Sequence, residues 1–229
     1  MRKIVIAIDG HSSTGKSTVA KRLAKALKYV YVDTGAMYRA VTLHALQSGF
    51  IQDNSHDFDA LINALDTIQL RFVYNPNSGA SEMHLNNKNV ERQIRTLEVS
   101  KYVSQVAAIP EVRKKLVEQQ QNMGKEKGVV MDGRDIGTVV FPDAELKFFM
   151  TAMPEKRANR RFKELLERGE RVTYEEVLKN IMERDKLDSS RAIAPLVKAE
   201  DAIPFNNSDM SPEEQFQRIL DKSLEVIAT

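Results

Sequence analysis

Short runs of consecutive apolar residues alternate along the chain with longer segments whose apolar positions recur at helical spacing. Such runs lie at 4–8, 29–32, 129–131 and 146–150, with a weaker one at 202–205. Continuous apolar runs of this length suit strands buried on both faces, and their alternation with helical patterns predicts a parallel five-stranded sheet with helices on both faces. From 68 to about 91 the rhythm changes. Leu70, Phe72 and Tyr74 alternate with polar residues, Asn75-Pro76-Asn77-Ser78-Gly79 intervenes, and Met83 and Leu85 precede Asn86-Asn87 and Lys88-x-Val90. This predicts a small antiparallel meander, with Asn residues tolerating the positive φ of a tight hairpin turn. Helical spacing resumes over 96–109, and Pro110 opens a further helix carrying Val112, Leu116 and Gln120 towards Gly124.

Four of the five apolar runs end in chemically distinctive residues, and ligands of open α/β sheets bind at the carboxyl ends of strands. The first run leads into Gly10-His11-Ser12-Ser13-Thr14-Gly15-Lys16-Ser17-Thr18. This is strand, glycine-rich turn and helix, the order a phosphate-binding loop requires. Gly10 and Gly15 allow backbone conformations that turn successive N–H groups toward an anion, and the helix opening at Ser17-Thr18 adds its own unpaired N–H groups. Lys16 is placed for the β- and γ-phosphates of a triphosphate, and the Ser17 hydroxyl for Mg²⁺. The loop alone leaves open which triphosphate binds and what becomes of it.

The second run ends in Asp33-Thr34-Gly35-Ala36-Met37-Tyr38-Arg39. Its two readings are an N-capped helix with a solvated Arg and a second anion site with Arg39 one turn in. The third ends in Asp132-Gly133-Arg134-Asp135, where a carboxylate at the end of a buried strand needs a partner. Asp132 suits the metal side of a phosphate-loop site, and Arg134 and Asp135 set an anion-binding guanidinium beside a hydrogen-bond acceptor. After the fourth run, Arg157, Arg160 and Arg161 share a helical face, as do Arg184, Asp188 and Arg191 further on. The first face reads either as a solvated face or as a set of cations for a transferring phosphoryl group, and the second either as a surface ladder or as an Asp holding two guanidinium planes whose free edges reach a sugar hydroxyl and a phosphate.

Composition narrows the choices. At 229 residues, 42% hydrophobic and 29% charged, the chain suits one core with insertions. The absence of cysteine removes disulfides, thiolate nucleophiles and Cys-type zinc sites, and the four histidines form no ligand pair. A hard cation arriving with phosphate is the metal this leaves. A net charge of +2 does not point to nucleic acid. With no long apolar stretch, and with Lys3 leading directly into the first strand, the expectation is a soluble, unexported, cytoplasmic protein without a membrane partner.

The phosphate loop, DTGAMYR, SQVAAIPEVR, GRDIGTVVFPDA, RANRR and RDKLDSSRAIAPL occur in this order over nearly the whole chain, and together they resemble bacterial cytidylate kinases. The resemblance implies a monomer of phosphate-loop NTPase fold comprising a core (about 1–57, 97–153 and 172–229), an NMP-binding insert (about 58–96) and a helical lid (about 154–171). It also implies ATP as donor, CMP or dCMP as acceptor, and Mg²⁺. In this sequence the implied cytosine contacts are Ser104, Arg113 and Asp135, and the pentose contacts Arg184 and Asp188. Arg39, Arg134 and Arg191 match the acceptor-phosphate arginines, and Thr34 belongs to the same CMP-binding set. Gly10 to Thr18 and Arg157 fall to ATP, with Arg157 and Arg161 where a lid meets it. Lys16, Arg134, Arg157, Arg161 and Arg191 form the implied catalytic set, and Ser17 and Asp132 the metal set. Thr34 stands where some members have Ser, and Asn206-Asn207-Ser208 where many carry Asp followed by Ser or Thr. Cytosine offers an amine donor to a carboxylate such as Asp135 where uracil offers an acceptor, which gives CMP preference over UMP a physical cause.

Overall fold

The computed structural model describes residues 2–53 and 55–229. In chain order its elements are β1 (Val5–Gly10), α1 (Lys16–Leu27), β2 (Val30–Asp33), α2 (Thr34–Gln47), β3 (Ile51–Gln52), β4 (Ser55–His56), α3 (Phe58–Ala64), β5 (Leu70–Asn75), β6 (Ala80–Leu85) and β7 (Lys88–Asn89). There follow α4 (Leu97–Val106), α5 (Pro110–Gly124), β8 (Val129–Gly133), β9 (Leu146–Thr151), α6 (Pro154–Glu167), α7 (Tyr174–Ser190), β10 (Ile203–Asn206) and α8 (Pro212–Ala228).

The five apolar runs are the strands of one parallel sheet, ordered β10-β9-β1-β8-β2. Each strand reaches one or two residues further toward its carboxyl end than its apolar run, because the ladder continues through polar residues. Asp33 and Asp132 are thereby set side by side on neighbouring strands. All of β1 and β8 is buried, as consecutive apolar residues require. Pro204 is tolerated in β10 because that strand is at an edge, with β9 as its neighbour. Val19, Ala20, Leu23 and Ala24 of α1 and Ile219 and Ile227 of α8 pack with Ile4, Ile6, Ile8, Val130, Phe148 and Met150 in one core. Each fully buried aliphatic side chain of this kind stabilises the fold by roughly 1.5–3 kcal/mol.

The chain groups into two units, Met1–Thr34 with Val117–Thr229, and Gly35–Leu116. The sheet, with α1, α6, α7 and α8, belongs to the first. The second has its own core, with Met37, Val41, Leu61, Met83, Ile94, Val103 and Leu116 at its centre. It contains the antiparallel sheet β5-β6-β7 at the place of the expected meander. Asn86 and Asn87 form the β6–β7 turn with φ of 47° and 65°, the two consecutive positive values of a type I′ turn. The pairing of β3 with β4 has no counterpart in the sequence pattern, since strands of two residues are too short to show alternation. Thr96 caps α4, and Pro110 and Pro154 open α5 and α6. Among the described residues, no helix is long and apolar enough to cross a membrane.

Candidate active site

The first unit holds the phosphate loop between β1 and α1. Gly10 ends β1 at φ 147°, and a Cβ there would lie 2.0 Å from the Met150 carbonyl oxygen, so the close register of β1 with β9 admits glycine alone. Gly15 caps α1 at φ 88°. Lys16 is buried, and its Nζ donates to the His11 carbonyl at 2.7 Å and to Thr14 Oγ1 at 3.5 Å. Burial, with Arg134 and Arg184 adding to it, pushes the Lys16 ammonium down to about 7 despite Asp132 and Asp9. An anion brought to this amine would favour its charged form.

Asp132 at the end of β8 organises the next layer. Ser17 Oγ donates to its Oδ2 at 2.9 Å, the Tyr31 hydroxyl to its Oδ1 at 2.8 Å, and Thr34 Oγ1 to its backbone carbonyl at 2.7 Å. Burial, with Asp33 alongside, pushes its carboxyl up to about 6. No group of three His, Cys, Asp or Glu side chains among the described residues could hold a metal by itself. A hydroxyl and one carboxylate, both hard oxygen donors, nevertheless fit Mg²⁺, which keeps several waters and takes phosphate oxygens as ligands.

Asp9, which the sequence pattern did not single out, accepts the backbone N–H groups of Ile136 and Gly137, each at 2.8 Å. Burial pushes its carboxyl up to about 6 against the pull of those two donors. The contact pins the turn that follows β8, whose first residue is the buried Asp135. An acidic residue ending an apolar strand just before the loop glycine was the available signal.

The arginines of the first unit divide into two sets. Arg134 Nε donates to Asp188 Oδ2 at 2.8 Å, Arg184 donates to Ser12 Oγ at 2.9 Å, and Arg191 donates to the Ala194 carbonyl at 2.6 Å. Asp188 is buried among them. Desolvation alone would raise its carboxyl, but Arg134, Arg184 and Arg191 hold it below the usual range. Burial and Arg134 push Arg184 down to about 10, and its buried Nε has no partner among the described residues. The second set lies on α6, where Arg157 and Arg160 donate to loop carbonyls. Arg157, 2% exposed, binds Asp185 through two donors at 3.0 and 2.6 Å and also donates to the carbonyls of Ala152 and Ser12. His11 Nδ1 lies 3.3 Å from the same Asp185, a second carboxylate that sequence reading passed over. Arg161 pairs with Glu164 at 3.2 Å.

The second unit carries Arg39, Ser104 and Arg113, all buried. Arg39 donates to the Ile94 carbonyl at 3.0 Å and to Ser100 Oγ at 2.9 Å. Arg113 donates to the Ala107 carbonyl at 3.2 Å, and its guanidinium lies 5.8 Å from the centre of the Tyr38 ring. Ser104 Oγ, which is buried, has no hydrogen-bond partner among the described residues.

A phosphate loop on a parallel sheet, with a strand-end carboxylate on its serine and buried arginines nearby, defines the class of phosphate-loop phosphotransferases. The family model for cytidylate kinase matches residues 6–225. Curated cytidylate kinases from Flavobacterium johnsoniae and Flavobacterium psychrophilum are each 60% identical, over 99% and 96% of this chain and 99% and 98% of their own. One from Phocaeicola vulgatus is 53% identical over 97% of both chains. A solved shikimate kinase from Bacteroides thetaiotaomicron covers 100% of both chains at 12% identity with a TM-score of 0.49, too distant to bear on function. This chain belongs to the cytidylate kinase family.

Proposed function

We propose that this kinase transfers the γ-phosphoryl group of ATP to CMP or dCMP, giving ADP and CDP or dCDP. The observation that supports the reading is the set of cations around the loop, buried Lys16 and Arg184 with partly buried Arg134: Arg184 donates to Ser12, and burial together with Arg134 lowers Lys16 to about 7 and Arg184 to about 10. A polyanion relieves the repulsion among them, and two phosphate chains meeting end to end supply one.

The roles are those the family resemblance implies, and the chemistry of each group suits them. Backbone N–H groups of the loop from Gly10 to Thr18 cradle the donor phosphates, and Lys16 leaves the His11 carbonyl to reach them. Arg134 and Arg191 are assigned to charge on the acceptor and transferring phosphates, and the resemblance gives Arg39 the acceptor phosphate as well. Asp188, fixed by its arginines, and Arg184, whose Nε has no partner among the described residues, are assigned to the pentose and phosphate. Ser104, Arg113 and Asp135 read cytosine, the carboxylate accepting from its exocyclic amine. Phosphoryl transfer needs alignment and charge neutralisation more than a covalent catalyst, so no nucleophile is assigned.

Ser17 and Asp132 would hold Mg²⁺, Asp132 directly or through water; when bound, the ion neutralises charge on the β- and γ-phosphates. Arg157 is assigned to the loop it buttresses through Ser12, and Arg161 to the face of a lid over 154–171 that excludes water on closing. The segments 58–96 and 154–171 are the acceptor insert and the lid on the remaining core, the enzyme acting as a cytoplasmic monomer without nucleic-acid or membrane partner.

Ion-exchange separation of nucleotides after incubation with Mg²⁺, ATP and CMP tests the reaction. Equal appearance of ADP and CDP supports it; ADP with free phosphate and unchanged CMP defeats it.

A further inference from the structure

Asn207, directly after β10, is fully buried. Its backbone N–H donates to the Thr151 carbonyl at 3.0 Å, anchoring it to the end of β9. Its Nδ2 donates to the Thr14 carbonyl at 2.6 Å and to Gln215 Oε1 at 2.8 Å. Gln215, in the first turn of α8, is itself held by donation from Nε2 to the Met210 carbonyl at 3.0 Å. Arg160 of α6 donates to the Thr14 carbonyl at 3.2 Å, to Asn207 Oδ1 at 3.4 Å and to the Asn207 carbonyl at 3.1 Å. The amide has one chemically consistent orientation, with its oxygen toward the guanidinium and its nitrogen toward two acceptors.

The Thr14 carbonyl shares its peptide plane with the N–H of Gly15. In a planar trans peptide these two groups point in opposite directions. A donor that holds the carbonyl behind the loop therefore aims the Gly15 N–H at the concave side, where successive N–H groups make the anion nest. A Cβ on Gly15 would lie 3.9 Å from both Asn207 Nδ2 and Gln215 Oε1, so this part of the loop is seated on the pair.

The geometry assigns Asn207 as a positioning residue for the donor-phosphate loop. Its side-chain amide sets the direction of the Gly15 N–H and hence the grip on the triphosphate, while Gln215 and Arg160 hold the amide in place. The assignment rests on the phosphate-loop reading above. A serine at this position retains a hydroxyl donor, alanine leaves the Thr14 carbonyl to Arg160 alone, and aspartate sets a carboxylate against two acceptor oxygens.

The test is a series on the full chain, Asn207→Ser, Asn207→Ala and Asn207→Asp, with Mg·ATP affinity by isothermal titration calorimetry, KM for ATP and for CMP, and thermal midpoint. The expected order of Mg·ATP affinity is wild type, Ser, Ala, Asp, with Ala and Asp weakened about tenfold or more, the consequence of losing a buried hydrogen bond. The loss falls on KM for ATP rather than on KM for CMP. Variants that lose thermal stability to a common extent while binding Mg·ATP like wild type would overturn the assignment and leave Asn207 a structural residue. If Asn207→Asp does not fold, the comparison of Ser and Ala with wild type decides in the same way. Wild type that fails to bind Mg·ATP would take down the phosphate-loop reading itself, and the assignment with it.

Discussion

Ser17 and Asp132 are 115 positions apart in sequence and meet through a 2.9 Å hydrogen bond from Oγ to Oδ2. The contact joins the first turn of α1 to the end of β8, and the parallel pairing of β1 with β8 makes it possible. Because Tyr31 satisfies the other carboxylate oxygen, Asp132 is held from two sides by the protein itself. The site is preorganised, which matters for a reaction that depends on alignment.

Asp132→Asn keeps the shape and removes the charge. We expect kcat to fall by about 10²–10³-fold, the scale of losing one preorganised electrostatic contact, and the Mg²⁺ concentration for half-maximal rate to rise. Chelation should stop the wild-type reaction and excess Mg²⁺ should restore it. An unchanged Mg²⁺ titration in the variant would remove Asp132 from the metal set.

Burial lowers Lys16 to about 7, so donor binding at this amine, as proposed, is expected to depend on pH. A phosphate beside the amine raises its pKa, so binding takes up a proton between about 7 and the bound value, and affinity falls as pH rises through that window. Calorimetric titration at pH 8 in buffers of different ionisation enthalpy should show this uptake. Lys16→Met should abolish it, and equal uptake in the variant would assign the proton elsewhere.

Asp188 is the carboxylate among Arg134, Arg184 and Arg191. Removing one partner from a buried ion cluster leaves uncompensated charge, so Asp188→Ala should destabilise the fold by about 3–5 kcal/mol. Urea unfolding measures this, and added nucleotide should recover part of the loss. A change below about 1 kcal/mol would place the arginines in a solvated setting.

The β6–β7 turn offers a test remote from the chemistry. Asn87 sits at φ 65°, where a β-branched residue is strained. Asn87→Val should cost about 1–2 kcal/mol in urea unfolding and Asn87→Gly little or nothing. Equal effects of the two would contradict the turn geometry.

Much of this was legible in the sequence, for identifiable reasons. Apolar runs such as 4–8 mark buried strands because both faces of a central strand shed water. The loop from Gly10 to Ser17 is readable because its function demands particular residue types at fixed spacing. Asp9 escaped notice because its partners are backbone N–H groups 127 and 128 positions away, which no side-chain pattern marks. The helical face of Arg157 and Arg160 was legible, but not that both donate to loop carbonyls, since periodicity gives a direction and not a target. Asn207 was visible as a departure from the family pattern; its seat under Thr14 required coordinates.

The most direct measurement is coupled ADP production from ATP and Mg²⁺ with CMP, dCMP, UMP, AMP or no acceptor, on wild type and Asp135→Ala. The account predicts turnover that depends on CMP or dCMP, is weak with UMP and AMP, is near background without acceptor, and falls sharply in the variant with CMP. Turnover without an acceptor, or a kcat/KM for UMP or AMP equal to that for CMP, would contradict it.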